Sequence, residues 1–272
     1  MTAFRDSVRE RVGGFFRNTV RIPDWTCEVC TAPVDGYERC LRCHNDARSW
    51  DGELADIVLP LAYAFEHTAA HRAQAGRHQS EQHMWSYKNV PPGPGCVSDL
   101  TLMLATALHF HHACAATAVG APWQAWAVVP SSRHHRAGDH PLEHLARAAG
   151  LGRPSSRLPD QVRLALAGQP GEDRDIREDR FLVLDPDIAS GRHILLLDDT
   201  WVTGASAQSA AITLKRAGAT AVTSLCLARW IKESNTRVDV PGFFATLSTP
   251  YDPLSGPVLG GPQCAGPLGS AD

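Results

Sequence analysis

Nothing in this sequence is present in large excess, and its absences narrow the field. Lysine and arginine number 26 against 29 aspartates and glutamates, a formal charge of −3 with a pI near 6.5. That balance offers no surplus positive field for a bulk polyanion such as DNA. No run of about 18 apolar residues is available to cross a bilayer, and the opening residues lack the basic and apolar stretches of a secretory signal. The expectation is a soluble, cytoplasmic protein with no membrane partner. A disulfide framework is also missing. Of eight cysteines, four fall in two C-x-x-C pairs, and Cys96, Cys114, Cys226 and Cys264 are scattered, which favours reduced thiols and a metal. The 272 residues leave room for one generous domain and an appendage.

The apolar rhythm changes along the chain. Phe4, Val8, Val12, Phe15 and Phe16 predict an amphipathic helix over 4–17, weakened by Gly13 and Gly14. Residues 57–63 read as a strand with Pro60 at an edge or bulge, followed by a polar, His-rich helix to about Met84. After the Pro-Gly breaker at 91–95, residues 99–119 read as a buried helix capped by Asp99 or Ser98. Beyond it come apolar strands at 126–130, 181–184, 193–198 and 221–228, with helices at 141–149 and 207–217, the last ended by Gly218. Short, unalternating strands between helices predict an α/β fold with a parallel sheet covered by helices on both faces. Residues 151–180, rich in Arg, Asp, Gly and Pro, read as a mobile functional loop or as partly helical around 160–166.

Between 23 and 46 there are too few apolar residues for an independent core, but two knuckles stand nine residues apart: Cys27-x-x-Cys30 and Cys40-x-x-Cys43. Four thiolates at this spacing close a tetrahedron around Zn2+ with no position left for water, which makes the site structural. No thioredoxin-like strand and helix flank either pair, so redox chemistry is disfavoured. His44 and His67 are left out of the ligand set. His109, His111 and His112 lack the i, i+4 spacing and adjacent carboxylate of a second metal site, and no metal is assigned to them or to the pair His134-His135.

The most informative segment is residues 193–206, where an apolar strand runs into Asp198 and Asp199, then Thr200, then a turn of Thr203, Gly204, Ala205 and Ser206 that opens a helix. Carboxylates at the carboxyl end of a strand can accept from hydroxyls, and the free amides of a helix N-terminus receive a phosphate. Small residues let the backbone approach it closely. Together these are the groups a ribose 5-phosphate needs.

These residues resemble the phosphoribosyl pyrophosphate motif of type I phosphoribosyltransferases: apolar strand, Asp-Asp, two variable positions, Thr-Thr-Gly-Ala-Thr. The resemblance implies that Asp198 and Asp199 hold the ribose 2′ and 3′ hydroxyls, and that Thr203 to Ser206 form the 5′-phosphate loop. Val202 stands where the motif usually has its first Thr. A zinc ribbon ahead of this motif narrows the likeness to the ComF-like family, over about residues 24–231. Tyr87-Lys88, Val129-Pro130-Ser131-Ser132-Arg133 and Leu227-Ala228-Arg229-Trp230 also match. The family's Arg-Gly-Phe-Asn-Gln is replaced by Arg136 to His144.

By this resemblance Ser131, Ser132 and Arg133 face the pyrophosphate, Lys88 is a phosphate contact, and Arg174, Arg177 and Arg180 end a hood over the site. The implied organisation is an N-terminal helix and zinc module (1–50), a phosphoribosyltransferase-like domain (51–235) and an irregular tail (236–272). The implied activity is a pentosyl transfer: Asp198, Asp199 and Arg133 act on phosphoribosyl pyrophosphate with Mg2+, transferring the phosphoribosyl group to a nitrogen nucleophile with release of pyrophosphate. The alternative is a non-catalytic binding or regulatory protein linked to DNA uptake. The family likeness admits nucleic acid and a homodimer as partners; a zinc-dependent nucleic-acid protein as such is disfavoured by the charge balance.

Overall fold

The computed structural model describes residues 2–131, 140–168, 174–235 and 238–257. Its strands in chain order are β1 (Arg17–Asn18), β2 (Ile57–Glu66), β3 (Ala125–Val128), β4 (Leu164–Leu166), β5 (Phe181–Val183), β6 (His193–Trp201) and β7 (Ala221–Lys232). The helices are α1 (Thr2–Val12), α2 (Leu41–Ser49), α3 (Ala69–Ala75), α4 (Gln79–Ser86), α5 (Pro94–Phe110), α6 (His112–Val119), α7 (Pro141–Ala148), α8 (Pro186–Ala189), α9 (Ala205–Arg216) and α10 (Val240–Thr246). Five strands form one sheet in the order β1-β2-β7-β6-β3. Its four long members run parallel, and only β1 is antiparallel to its neighbour.

The strand period of two explains why β6 reads as a solid apolar run. Leu195 and Leu197 enter one core with Val8 and Val12 of α1, Met84 of α4, Leu100, Met103 and Leu104 of α5, and Leu142 and Leu145 of α7. Ile194 and Leu196 enter the opposite core with Ala207, Ala210 and Leu214 of α9. A strand buried on both faces needs no polar alternation. Each fully buried Leu or Ile adds about 1.5–3 kcal/mol relative to exposure. Cys27, Cys30 and Cys43 belong to the α9 side, so the cysteine knuckles cover part of the sheet.

Several boundaries differ from the sequence reading, each for a local reason. The first helix stops at Val12 and Gly13–Gly14 turn the chain into β1. Strand β2 continues three residues past Tyr63 to Glu66, because β7 pairs with it as far as Lys232. Pro60 is accommodated because β1 reaches only Ala62 and Tyr63 of β2, leaving the proline on a locally open edge. The His-rich helix is two helices, broken at Gly76, whose φ of 77 lies in the left-handed region.

Neither Asp99 nor Ser98 caps a helix. Helix α5 begins at Pro94, whose fixed φ suits a first turn, and Asp99 lies inside it, receiving Arg11 Nε at 2.8 Å. It ends at Phe110, and α6 departs at 51°. No single helix among the described residues is long and apolar enough to cross a membrane.

The stretch 160–166 is not helical. Leu164–Leu166 pairs antiparallel with Phe181–Val183 in a hairpin separate from the main sheet, so the strand expected at 181–184 is not one of the parallel strands. The C-terminal segment expected to be irregular contains α10, and Tyr251 is 2% exposed within the main core.

Candidate functional site

Strand β6 outruns its neighbour β3. Pairing with β3 ends at Leu197, whereas pairing with β7 continues through Thr200 and Trp201. Asp198 and Asp199 therefore sit on the first stretch of β6 with an open side, at the carboxyl edge where open α/β sheets bind ligands. Both are partly buried. The Asp199 N–H donates to Asp198 Oδ1 at 2.8 Å. Burial, then the charge of Asp199, pushes the Asp198 carboxyl up to about 7. Burial acts the same way on Asp199. There Lys88, by its charge and by a hydrogen bond, together with donors from Tyr87 and Thr200, outweighs it and holds the carboxyl below its usual range. The two acids thus sit in different protonation regimes.

Lys88 is ion-paired with Asp199 Oδ2, and the Tyr87 hydroxyl donates to the same oxygen at 2.5 Å. The sequence reading gave Lys88 to a phosphate; the structure places its ammonium against a carboxylate. Tyr87, 2% exposed, was not among the expected site residues. Its place beside Lys88 was the available signal. Burial and the Asp199 charge push the Tyr87 phenol well up, so it remains a donor.

After Trp201 the chain turns through Val202 and Thr203 to Gly204, the N-cap of α9, at φ 83 and ψ −3. A Cβ on Gly204 would overlap the ring of Trp201, which is itself 1% exposed. Glycine is required twice over, by the left-handed backbone and by the ring beneath it. The N-cap Gly204 has no side chain with which to cap α9. Thr203 Oγ1 lies 3.4 Å from the Ala205 amide. Arg180, from the end of the long loop, donates to Ser206 Oγ at 3.1 Å, which brings a guanidinium to the same helix start.

A buried arginine supports the turn from behind. Arg229 Nη1 donates to the carbonyls of Trp201 at 2.7 Å, Val202 at 3.0 Å and Trp230 at 2.8 Å. Burial disfavours its charge, but the neighbouring sulfurs of Cys30, Cys40 and Cys43 outweigh that and raise its pKa. The arginine therefore stands between the cysteine cluster and the glycine turn.

Ser131 follows β3 onto the same edge, since Val129 N–H donates to Leu197 O at 2.9 Å just before it. Ser132 and Arg133 lie outside the described residues, as does the histidine pair 134–135. Of the other hood arginines, Arg177 pairs with Asp179, and the Arg174 carbonyl accepts from Arg42 Nη2 at 3.0 Å. Arg42 also pairs with Asp175 at 2.8 Å, so α2 of the knuckle region braces the loop end that lies over α9.

The four cysteines of the knuckles are brought together, with their Sγ atoms all within 4.8 Å of one another. Cys30 Sγ and Cys40 Sγ are 3.8 Å apart. A tetrahedron with Zn–S bonds of ~2.3 Å has edges of ~3.8 Å, so the donor set fits Zn2+. Cys40 also caps α2, its Sγ accepting from the Cys43 amide at 3.5 Å. Cys96 and Cys226 stand apart from this cluster as free thiols.

No protein-family model matches this chain, and no curated protein matches it. Among solved structures, it is similar to adenine phosphoribosyltransferase from Saccharomyces cerevisiae, complexed with D-2,5-dideoxy-2,5-imino-altritol 1,6-bisphosphate and adenine. That match has 20% identity and a TM-score of 0.32, over 51% of this chain and 70% of that one. A second adenine phosphoribosyltransferase structure is similar at 19% identity and a TM-score of 0.31, over 52% of this chain and 81% of that one. At such scores the likeness carries no function across to this chain.

Proposed function

We propose that this chain binds phosphoribosyl pyrophosphate with Mg2+ and transfers its phosphoribosyl group to a nitrogen nucleophile, releasing pyrophosphate. One observation carries the reading: two carboxylates on the open side of a strand end lie one glycine turn away from a helix N-terminus whose N-cap, Gly204, has no side chain. Asp198 and Asp199 would accept from the ribose 2′ and 3′ hydroxyls. The amides of Ala205 and Ser206, with the hydroxyls of Thr203 and Ser206, would receive the 5′-phosphate, and Arg180 would add its charge there. Ser131, Ser132 and Arg133 are assigned to the pyrophosphate.

In the reaction the bond from C1 of the ribose to pyrophosphate oxygen breaks, its electron pair leaves with pyrophosphate, and a C1–N bond forms. The transition state resembles an oxocarbenium ion, so the residues act by positioning and by stabilising the leaving group. Oxygen donors only are offered by Asp198 and Asp199, the kind Mg2+ prefers. Through the ribose hydroxyls they would hold a Mg2+ that neutralises charge on the pyrophosphate. The cysteine cluster is assigned structural Zn2+.

The test is pyrophosphate release from phosphoribosyl pyrophosphate and Mg2+ with a panel of nitrogenous bases. Release with at least one base, abolished in Asp198→Asn, is expected. A second reading is favoured by the engagement of Asp199 with Lys88 and Tyr87 and by Val202. In it the same site is a ComF-like sensor of a phosphorylated ribose, without turnover, serving a partner in DNA uptake. Clear ligand binding with no release for any base would select it.

A further inference from the structure

A second cluster of metal-binding side chains lies at the far tips of β2 and β7, away from the cysteines. Those strands remain paired to Glu66 and Lys232, three residues beyond the Trp201–Arg229 pair that ends β6. The next residue on each strand is His67 and Glu233, and Glu233 N–H donates to Glu66 O at 2.9 Å. Thr68 then caps α3, its hydroxyl accepting from the His71 amide at 3.1 Å. The cap fixes His67 and His71 one helical turn apart.

The result is a compact triad. His71 Nδ1 lies 3.1 Å from Glu233 Oε1 and 3.3 Å from Oε2, and His67 Nδ1 lies 3.4 Å from Oε2. The two imidazole rings face each other with centroids 3.7 Å apart. A tetrahedral ion with ligand bonds of ~2.0–2.1 Å has ligand-to-ligand edges of ~3.3 Å, which these separations match. Two further observations point to a ligand. His67 Nδ1 is shut off from solvent and forms no hydrogen bond, with Glu233 Oε2 beside it at 3.4 Å, which leaves its lone pair for an ion between the two. The carboxylate is also held in place, because the Thr68 amide donates to Glu233 Oε2 at 2.7 Å. Nearby cations are turned elsewhere: Arg72 and Lys232 face Glu66.

We propose that His67, His71 and Glu233 form a second metal site, of the zinc class, with its fourth position open to solvent on the side of His71. Two imidazoles and one carboxylate suit Zn2+ and its N/O-binding neighbours, and they do not suit Mg2+ or Ca2+. His71 is 42% exposed at its side chain, whereas His67 is 13% exposed, so entry and exchange are on one side. With three protein ligands the site is built like an exchangeable zinc centre, in contrast to the closed four-thiolate cluster.

The experiment counts metal by difference. Full-length wild type, His71→Ala and Glu233→Gln are equilibrated with micromolar Zn2+, desalted and measured by plasma mass spectrometry. Each variant is expected to hold one equivalent less than wild type, with the thermal transition of the thiol-held fold kept. Equal zinc in all three overturns the site. Independently of any variant, Zn2+ titrated calorimetrically into zinc-replete wild type that has been briefly treated with EDTA and desalted is expected to give one further binding step. Absence of that step also overturns the proposal.

Discussion

The ammonium of Lys88 and the phenol of Tyr87 converge on one oxygen, Oδ2 of Asp199. That leaves the carboxylate ionised and oriented before any sugar arrives, at the expense of a competing internal cation. Replacing Asp199 removes a charge-assisted acceptor worth about 1.5–3 kcal/mol, and replacing Asp198 removes one that is only partly ionised at neutral pH. Asp198→Asn and Asp199→Asn are each expected to weaken binding of phosphoribosyl pyrophosphate and Mg2+ by about 10–100-fold, read by titration calorimetry. Unchanged affinity in both would remove these acids from the site.

Asp198 sets a pH dependence. An unfolded Asp titrates near ~3.9 and the folded one near about 7, so between those values the native state binds more protons than the unfolded state. Stability without ligand therefore falls as pH rises from about 4 to above 7. Asp199, held below its usual range, contributes in the opposite sense, and its contribution is lost only as pH falls through its folded value. Burial lowers His78 and His111 to about 4, and they act in the opposite sense below about 6.5, so the effect is read as a difference: from pH 5 to 8 wild type should lose thermal stability relative to Asp198→Asn. A steeper decline in the variant would contradict the assignment.

The glycine turn can be tested against an ordinary left-handed glycine. Gly204→Ala strains the backbone and drives a methyl into the Trp201 ring, at a cost of about 2–5 kcal/mol. Gly191→Ala, at φ 73 with nothing near its added Cβ, carries only the backbone part, about 1–2 kcal/mol. Calorimetric melting should rank them in that order, and only the Gly204 variant should lose affinity for the sugar phosphate.

Val202 is 36% exposed, so a hydroxyl is tolerated there. Val202→Thr adds one donor to the turn before Gly204 and is expected to tighten phosphoribosyl pyrophosphate binding about 2–10-fold. Weaker binding would place the side chain away from the phosphate.

If the cysteine cluster holds zinc as proposed, removing the metal should reach the turn through Arg229. Without the thiolates, the buried guanidinium keeps its desolvation cost and loses its counter-charge. Cys43→Ala is expected to lower the melting temperature and to expose the 174–180 loop to proteolysis, since Arg42 of α2 braces that loop. Retention of the wild-type cleavage pattern would show that the knuckles and the turn are independent.

The sequence by itself determined what local chemistry dictates. The unbroken apolar run of β6 meant a strand buried on both faces, Asp198-Asp199 followed by Gly204 marked a polar strand end and a helix start, and the spacing of Cys27, Cys30, Cys40 and Cys43 marked a four-cysteine cluster. Only the tertiary structure decided what depended on partners distant in the chain. Leu164–Leu166 became a strand because Phe181–Val183 pairs with it, and β2 lengthened because β7 did. Lys88, expected at a phosphate, stands here against Asp199 because the chain leaving α4 brings it to the end of β6. Likewise, His67 and Glu233 lie 166 positions apart in the chain and meet only because β2 and β7 are neighbours. Periodicity reports which face a residue presents, but a long-range pair forms only when the sheet order brings its two strands together.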